Sequence, residues 1–176
     1  MHRSPFNSAV QTQDRGGEYW VMQMVFRNLT SAQRATLSAY LANLNGMQHR
    51  VSTYNHAENN QGSFGGSPLV AGASQTGKSL NVDGCSNNIT NWIRAGDFFS
   101  VNGELKICTA NGNTDGGGNI TIPFAPRLRS APSDNAVITT SQGTGTFVLA
   151  NNTVSWSNRP GGFSDVSISL VEDIAA

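Results

Sequence analysis

The sequence predicts a mainly β fold. Residues 1–55 and 145–176 are expected to form a β-sandwich-like unit carrying one packed α-helix, with a small β-barrel or β-meander inserted over residues 56–144. Three observations predict it. Apolar and polar residues alternate with period two in many short runs, the mark of half-buried strands. Those runs are separated by Gly, Asn, Ser and Thr, and glycine alone contributes 19 of 176 residues, which supplies the turns such a fold needs. Only one segment, just after Thr30, carries a helical period.

Taken in order, residues 8–13 alternate, Arg15-Gly16-Gly17 is expected to turn, and residues 18–26 to return as a strand. Trp20, Met22, Met24 and Phe26 fall on one face. Tyr19, Val21 and Val25 fall on the other, so the strand is expected to be covered on both sides, by a second layer or by a subunit contact. Thr30-Ser31-Ala32-Gln33 reads as a capping box, in which the Thr hydroxyl accepts from the Gln33 amide and the Gln side chain reaches back. Leu37, Tyr40, Leu41 and Leu44 then recur at i, i+3, i+4 and i+7, and Asn45-Gly46 supplies a left-handed stop.

A strand is expected over residues 47–54. Residues 55–67, NHAENNQGSFGGS, are too polar and Gly-rich for an element and read as a linker into the inserted module, which runs to about Thr144. Its centre is the stretch from Trp92 to Arg129. Phe99, Val101, Leu105 and Ile107 share one face only if opposed residues sum to an even number. That parity favours a three-residue loop with Gly103 left-handed in a bulge over a two-residue turn at Asn102-Gly103. A Gly/Asn/Asp loop over 111–119 leads to a strand over 120–124. Pro123 should place that strand at an edge or end it, because proline cannot donate to a ladder. Further strands are expected over 136–140, 145–150, 153–157 and 165–172, the last alternating strictly through Val166, Ile168 and Leu170.

Composition narrows the function. Eleven basic residues balance eleven acidic ones, so there is no electrostatic footprint for nucleic acid or for an anionic membrane surface. No run of about eighteen apolar residues occurs, and the opening residues lack an apolar signal-like core. Synthesis and assembly in a cytosol are therefore expected. Cys85 and Cys108 are expected to be free buried thiols, and the sequons at Asn28, Asn88, Asn119 and Asn151 to be chance products of an Asn/Thr-rich chain.

Four patterns invite a chemical reading. Gly72-Ala73-Ser74-Gln75-Thr76-Gly77-Lys78-Ser79 fits G-x-x-x-x-G-K-[ST], whose amides cradle phosphates. That chemistry needs a buried parallel strand before the loop and a helix after it, whereas Asn81, Asp83 and Gly84 oppose a helix. A polar β-turn is expected instead. His49 and His56, with Glu58 nearby, fall short of a convergent metal-ligand set, and Asp115 in its Gly-rich loop offers one carboxylate where calcium loops use several. Trp92, Trp156, Tyr54 and Phe64 could form a sugar-stacking platform, although core and interface use is the commoner fate of such residues. No nucleophile elbow or carboxylate pair suggests an enzyme, so no catalytic, cofactor or metal-binding residue is assigned.

The order W-x-x-AGD-F-x-x-x-x-G at Trp92–Gly103, followed by a charged strand, a Gly/Asp-rich turn and P-x-L-R at Pro126–Arg129, resembles minor or distal tail-tip proteins of long-tailed bacteriophages. SPF, RGG-x-x-W, LANLNG, VSW and SDVSISLVEDI extend the likeness toward both ends. The resemblance implies a virion structural protein, assembled in the host bacterial cytoplasm. It further implies a homo-oligomeric ring that joins the tail tube to the hub or fibres, without catalytic residues or cofactors. A host-surface or carbohydrate-binding module of the virion is the alternative. The chain's only lysines are Lys78 and Lys106, which leaves few residues to block exposed strand edges and agrees with edges that neighbours cover.

Overall fold

The computed structural model describes residues 17–57 and 59–174, together with two short strands nearer the N-terminus. Those two, β1 (His2–Arg3) and β2 (Val10–Gln11), pair antiparallel with each other. The expected turn at Arg15-Gly16-Gly17 lies mostly outside the described residues. The elements that follow are β3 (Val21–Leu29), α1 (Ser31–Asn43), β4 (Val51–Tyr54), β5 (Gly66–Val70) and β6 (Ser79–Cys85). After them come β7 (Phe98–Val101), β8 (Glu104–Cys108), β9 (Ile120–Ala125) and β10 (Ile138–Thr139). The chain closes with β11 (Thr144–Leu149), β12 (Trp156–Arg159) and β13 (Phe163–Glu172). The protein is mainly β, with a nearly closed barrel-like sheet and a second sheet curled into a half-barrel.

The first sheet runs β10-β7-β8-β9-β6-β5. Its ends approach each other through a bridge between Leu69 and Val137 and a 3.0 Å bond from the Val70 amide to the Ala136 carbonyl. Period two decides what fills it. Leu80 and Val82 of β6 and Ile120, Ile122 and Phe124 of β9 point inward and are buried, whereas Asn81 and Thr121 between them face solvent. Phe124 meets Phe99 edge to face, with ring centroids 5.8 Å apart. Cys85 and Cys108 are free, buried thiols of this same core.

In the second sheet β13 is central. It pairs with β3 along one side and with β12 and then β11 along the other, and β4 lies beyond β11. The strict alternation of β13 puts Val166, Ile168 and Leu170 inward, where they share a core with Leu41 and Leu44 of the helix region. The capping box forms as expected: Gln33 N donates to Thr30 Oγ1, and Gln33 Oε1 accepts from Thr30 N at 3.0 Å. Asn45 and Gly46 both have positive φ and end the helix. The two sheets pack on one another. Leu105 of β8 sits in the second core, Trp20 stacks against Phe98 at 5.7 Å, and the Trp20 indole donates to the Leu105 carbonyl at 3.0 Å.

Several expectations are corrected. The central hairpin has a two-residue turn, since Val101 opposes Glu104 and Phe98 opposes Ile107. Asn102 (φ 52°) and Gly103 (φ 75°) are both left-handed, as a type I′ turn requires, and that turn matches strand twist better than a bulge. The parity argument failed because it assumed one covered face, whereas Phe99 and Val101 enter the barrel core and Leu105 enters the other core. Strand β9 is internal, not an edge. The Phe124 amide bonds Lys78 on the β6 side, so by alternation the Pro123 nitrogen points to the β8 side, at the last residue of the pairing, where the Thr109 amide still donates to the Pro123 carbonyl at 2.9 Å. Proline therefore costs the ladder only the reciprocal bond at its end. The residues after Tyr54 form no regular element, yet they are not a loose linker, because Asn60, Gln61 and Gly62 are bonded to the barrel. Finally, no second layer of described residues covers the outer side of β3. Its Met22, Met24 and Phe26 face the core, while Tyr19, Val21 and Val25 are exposed by 54%, 62% and 53%.

Candidate functional site

The phosphate-loop look-alike forms the connection between two antiparallel strands, β5 and β6. Ser79 opens a strand, so no helix N-terminus faces the loop. Gly72 and Gly77 take φ of 89°, Gln75 folds back onto the Ala71 and Asn81 backbones, and Lys78 pairs with Glu18 at 2.7 Å. This is the polar turn the neighbouring residues had suggested.

The other flagged residues scatter. His49 lies in the turn after the helix, its amide bonded to Leu44, whereas His56 stacks on Tyr54 with centroids 4.2 Å apart. Glu58 lies outside the described residues. Asp115 is committed to its own loop: its Oδ1 accepts from the amides of Gly117 and Asn119, both at 2.8 Å. Bonds from Asn119, backbone first and then side chain, with the Gly117 amide, hold this carboxyl below its ordinary value. Among the described residues no group of three or more His, Cys, Asp and Glu side chains is placed to hold a metal.

The four aromatics that could have formed a platform also separate. Trp92 is wholly buried, with its indole donating to Gly65 at 2.9 Å, and Trp156 packs on the second core. Tyr54 and Phe64 do come together. They line an open cleft of about 400 Å³ with His56, Asn59, Gln142 and Ser141, where the two crossings between the sheets run side by side.

The AGD motif has a clear structural use. Asp97, 2% exposed, accepts from the amides of Gln61 at 2.6 Å, Gly62 at 2.9 Å and Arg94 at 2.7 Å. A short acceptor here satisfies three backbone donors at once and fixes the entry to the barrel.

A feature the sequence reading missed is the charge cluster between the sheets. Lys106, with no exposed surface, bonds Glu104 Oε2 at 2.7 Å and the Arg127 carbonyl at 3.0 Å. Glu104 also accepts from the Arg129 amide at 3.0 Å and the Ser130 amide at 3.1 Å. Glu172 of β13 lies 3.9 Å from the Arg129 guanidinium and accepts from the Trp20 amide at 3.0 Å. Burial pushes the Glu104 carboxyl up, but the Lys106 bond, the Arg129 amide, the Lys106 charge and the Ser130 amide together outweigh it and hold it below the ordinary value. The signal was present in the spacing. Once Asn-Gly is taken as a two-residue turn, Glu104 and Lys106 fall on the inward face with Phe99 and Val101.

The remaining unusual surface is β3 itself. Among the described residues β13 is the strand that bonds it, and no other described strand lies along its second edge. Beside that edge, Met22 to Phe26 and the segment Asn55, His56 and Ala57 border a groove of about 300 Å³. A strand edge that no other described strand covers, a groove and an apolar outer stripe form a surface of the kind that accepts another extended chain.

No family model matches the chain, and no curated protein sequence matches it.

Proposed function

We propose that this chain is a structural subunit of a bacteriophage tail tip, forming a homo-oligomeric ring that connects the tail tube to the hub or fibres in the virion. Two things support the reading. One is the resemblance carried by Trp92–Gly103, Pro126–Arg129 and the terminal segments. The other, and the observation that carries it, is the β3 edge along which no other described strand runs, with Tyr19, Val21 and Val25 exposed beside it. A long strand with an open edge and apolar outer residues is an aggregation hazard in a free monomer, and a neighbouring subunit that covers it removes the hazard. The mechanism is assembly: a head-to-tail contact brings one subunit's β3 surface against a different surface of the next, and a fixed rotation closes the ring.

Sedimentation of the purified chain at micromolar concentration, with fractionation of virions beside it, tests the reading. A closed oligomer and co-fractionation with tail material are expected. A strictly monomeric protein absent from particles but retained on host cells would favour the alternative, a host-surface or carbohydrate-binding module, for which the cleft at Tyr54 and Phe64 is the specific observation.

A further inference from the structure

We propose that the cleft between the two crossing segments is a binding site for an uncharged saccharide, with Tyr54 and Phe64 as its apolar walls. The inference rests on the cleft's own lining and not on the ring, although the cleft adjoins the groove beside β3 at His56, which borders both.

Four observations lead to it. The cleft encloses about 400 Å³, within the range of small-ligand sites. Its described lining joins Tyr54, which carries the His56 ring stacked against it at 4.2 Å, and Phe64 to amide and hydroxyl side chains from Asn59, Thr140, Ser141 and Gln142, with no Asp, Glu, Lys or Arg among them. A sugar ring has that same division: an apolar face of C–H bonds, which stacks on an aromatic ring, and a rim of hydroxyls that both donate and accept. Among the described lining residues a charged ligand meets no carboxylate, ammonium or guanidinium group.

The third observation is that the floor is already satisfied and rigid. Asn60 uses its whole amide on backbone: Oδ1 accepts from Phe98 N at 2.8 Å, and Nδ2 donates to the Phe98 and Thr140 carbonyls at 2.8 and 2.9 Å. It therefore ties both crossing segments to β7 and leaves ligand bonding to the side chains above it. Fourth, Phe64 (φ 45°) and Gln142 (φ 51°) on opposite segments are both held in the left-handed region, which non-glycine residues avoid. The Phe64 amide is bonded to the Trp92 carbonyl at 2.9 Å and its ring rests edge-on against Trp92 at 5.4 Å, so the barrel core sustains that conformation. Backbone strain of this kind collects where side chains must be presented in a set direction.

The test is titration of the full chain, by calorimetry and by NMR, with neutral trisaccharides of glucose, galactose, N-acetylglucosamine and rhamnose, and with anionic oligogalacturonate. At least one neutral trisaccharide is expected to bind, with Tyr54→Ala and Gln142→Gly each weakening it at least about tenfold. Gln142→Gly suits the positive φ and keeps the fold, so it decides the matter should Tyr54→Ala fail to fold. The proposal is overturned by no binding of any neutral trisaccharide at millimolar concentration, by preference for oligogalacturonate, or by affinity that Gln142→Gly leaves unchanged.

Discussion

Lys106 keeps an ammonium group in the protein interior with two of its three N–H donors answered, by Glu104 on one side and the Arg127 carbonyl on another. Removing the carboxylate strands that cation, so Glu104→Gln is expected to destabilise by about 3–5 kcal/mol in urea unfolding. Lys106→Met should cost less, since Glu104 keeps the Arg129 and Ser130 amides. The pH dependence follows from the direction of the Glu104 shift. A carboxyl held below its ordinary value of 4.5 contributes stability that is fully present above that pH and is lost as the pH falls through the lower folded value. The gap between the native protein and Glu104→Gln should therefore be constant near neutrality and close in acid. A gap unchanged at pH 3 would mean that the carboxylate is not what holds the site. At the surface the balance differs. Lys78 and Glu18 are each about half exposed, so Lys78→Ala should change stability by less than about 1 kcal/mol and should uncover no nucleotide affinity to lose.

Elements differ in how much of their own conformation they carry in sequence. The helix is nearly self-announcing: the capping box, Leu37, Leu41 and Leu44 of the expected stripe and the Asn45-Gly46 stop are all local and sit where the spacing places them, whereas Tyr40 of that stripe is 48% exposed. Leu41→Ala should cost about 2–5 kcal/mol in thermal unfolding. The lower half of that range is the expectation, because a groove of about 190 Å³ already lies beneath the helix and part of the side chain's loss is of contacts on one side only. Strand β13 was equally legible, since one of its faces is buried and the other is not, and alternation reports that directly. The hairpin of β7 and β8 was not. It carries apolar residues on both faces because it stands between two cores, and parity reasoning has no way to see a second core. The turn residues were the better guide. With Gly103 at φ 75° and no close neighbour, Gly103→Ala should destabilise through backbone strain alone, by about 1–2 kcal/mol. The saccharide cleft lay half in view, because Tyr54 and Phe64 were named as a possible platform, but only the folded chain shows which two of the four aromatics meet.

At the scale of the molecule, two sheets share one hairpin as a common wall, and β3 is a strand with no other described strand beyond its outer edge. Its inner residues serve the second core, so the strand is tied in place by packing and by seven pairings with β13, from Ser164↔Leu29 to Val171↔Val21. Among the described residues, the outer Tyr19, Val21 and Val25 belong to neither core. Val25, 53% exposed and opposite Ser167, is the residue whose replacement separates the two roles. Val25→Lys leaves the inner packing of Met24 and Phe26 untouched and places a charge where an adjoining subunit would have to bury it. A surface substitution of this kind ordinarily changes monomer stability by no more than about 0.5 kcal/mol. Its effect on a covered interface is larger, since a buried unpaired ammonium is costly. If β3 is the ring contact, Val25→Lys should unfold at the native temperature yet sediment as a monomer, and phage carrying it should lack completed tails. Met24→Lys on the neighbouring face should instead destabilise the monomer itself. An oligomer that survives Val25→Lys intact would remove β3 from the contact and leave the ring reading resting on resemblance alone.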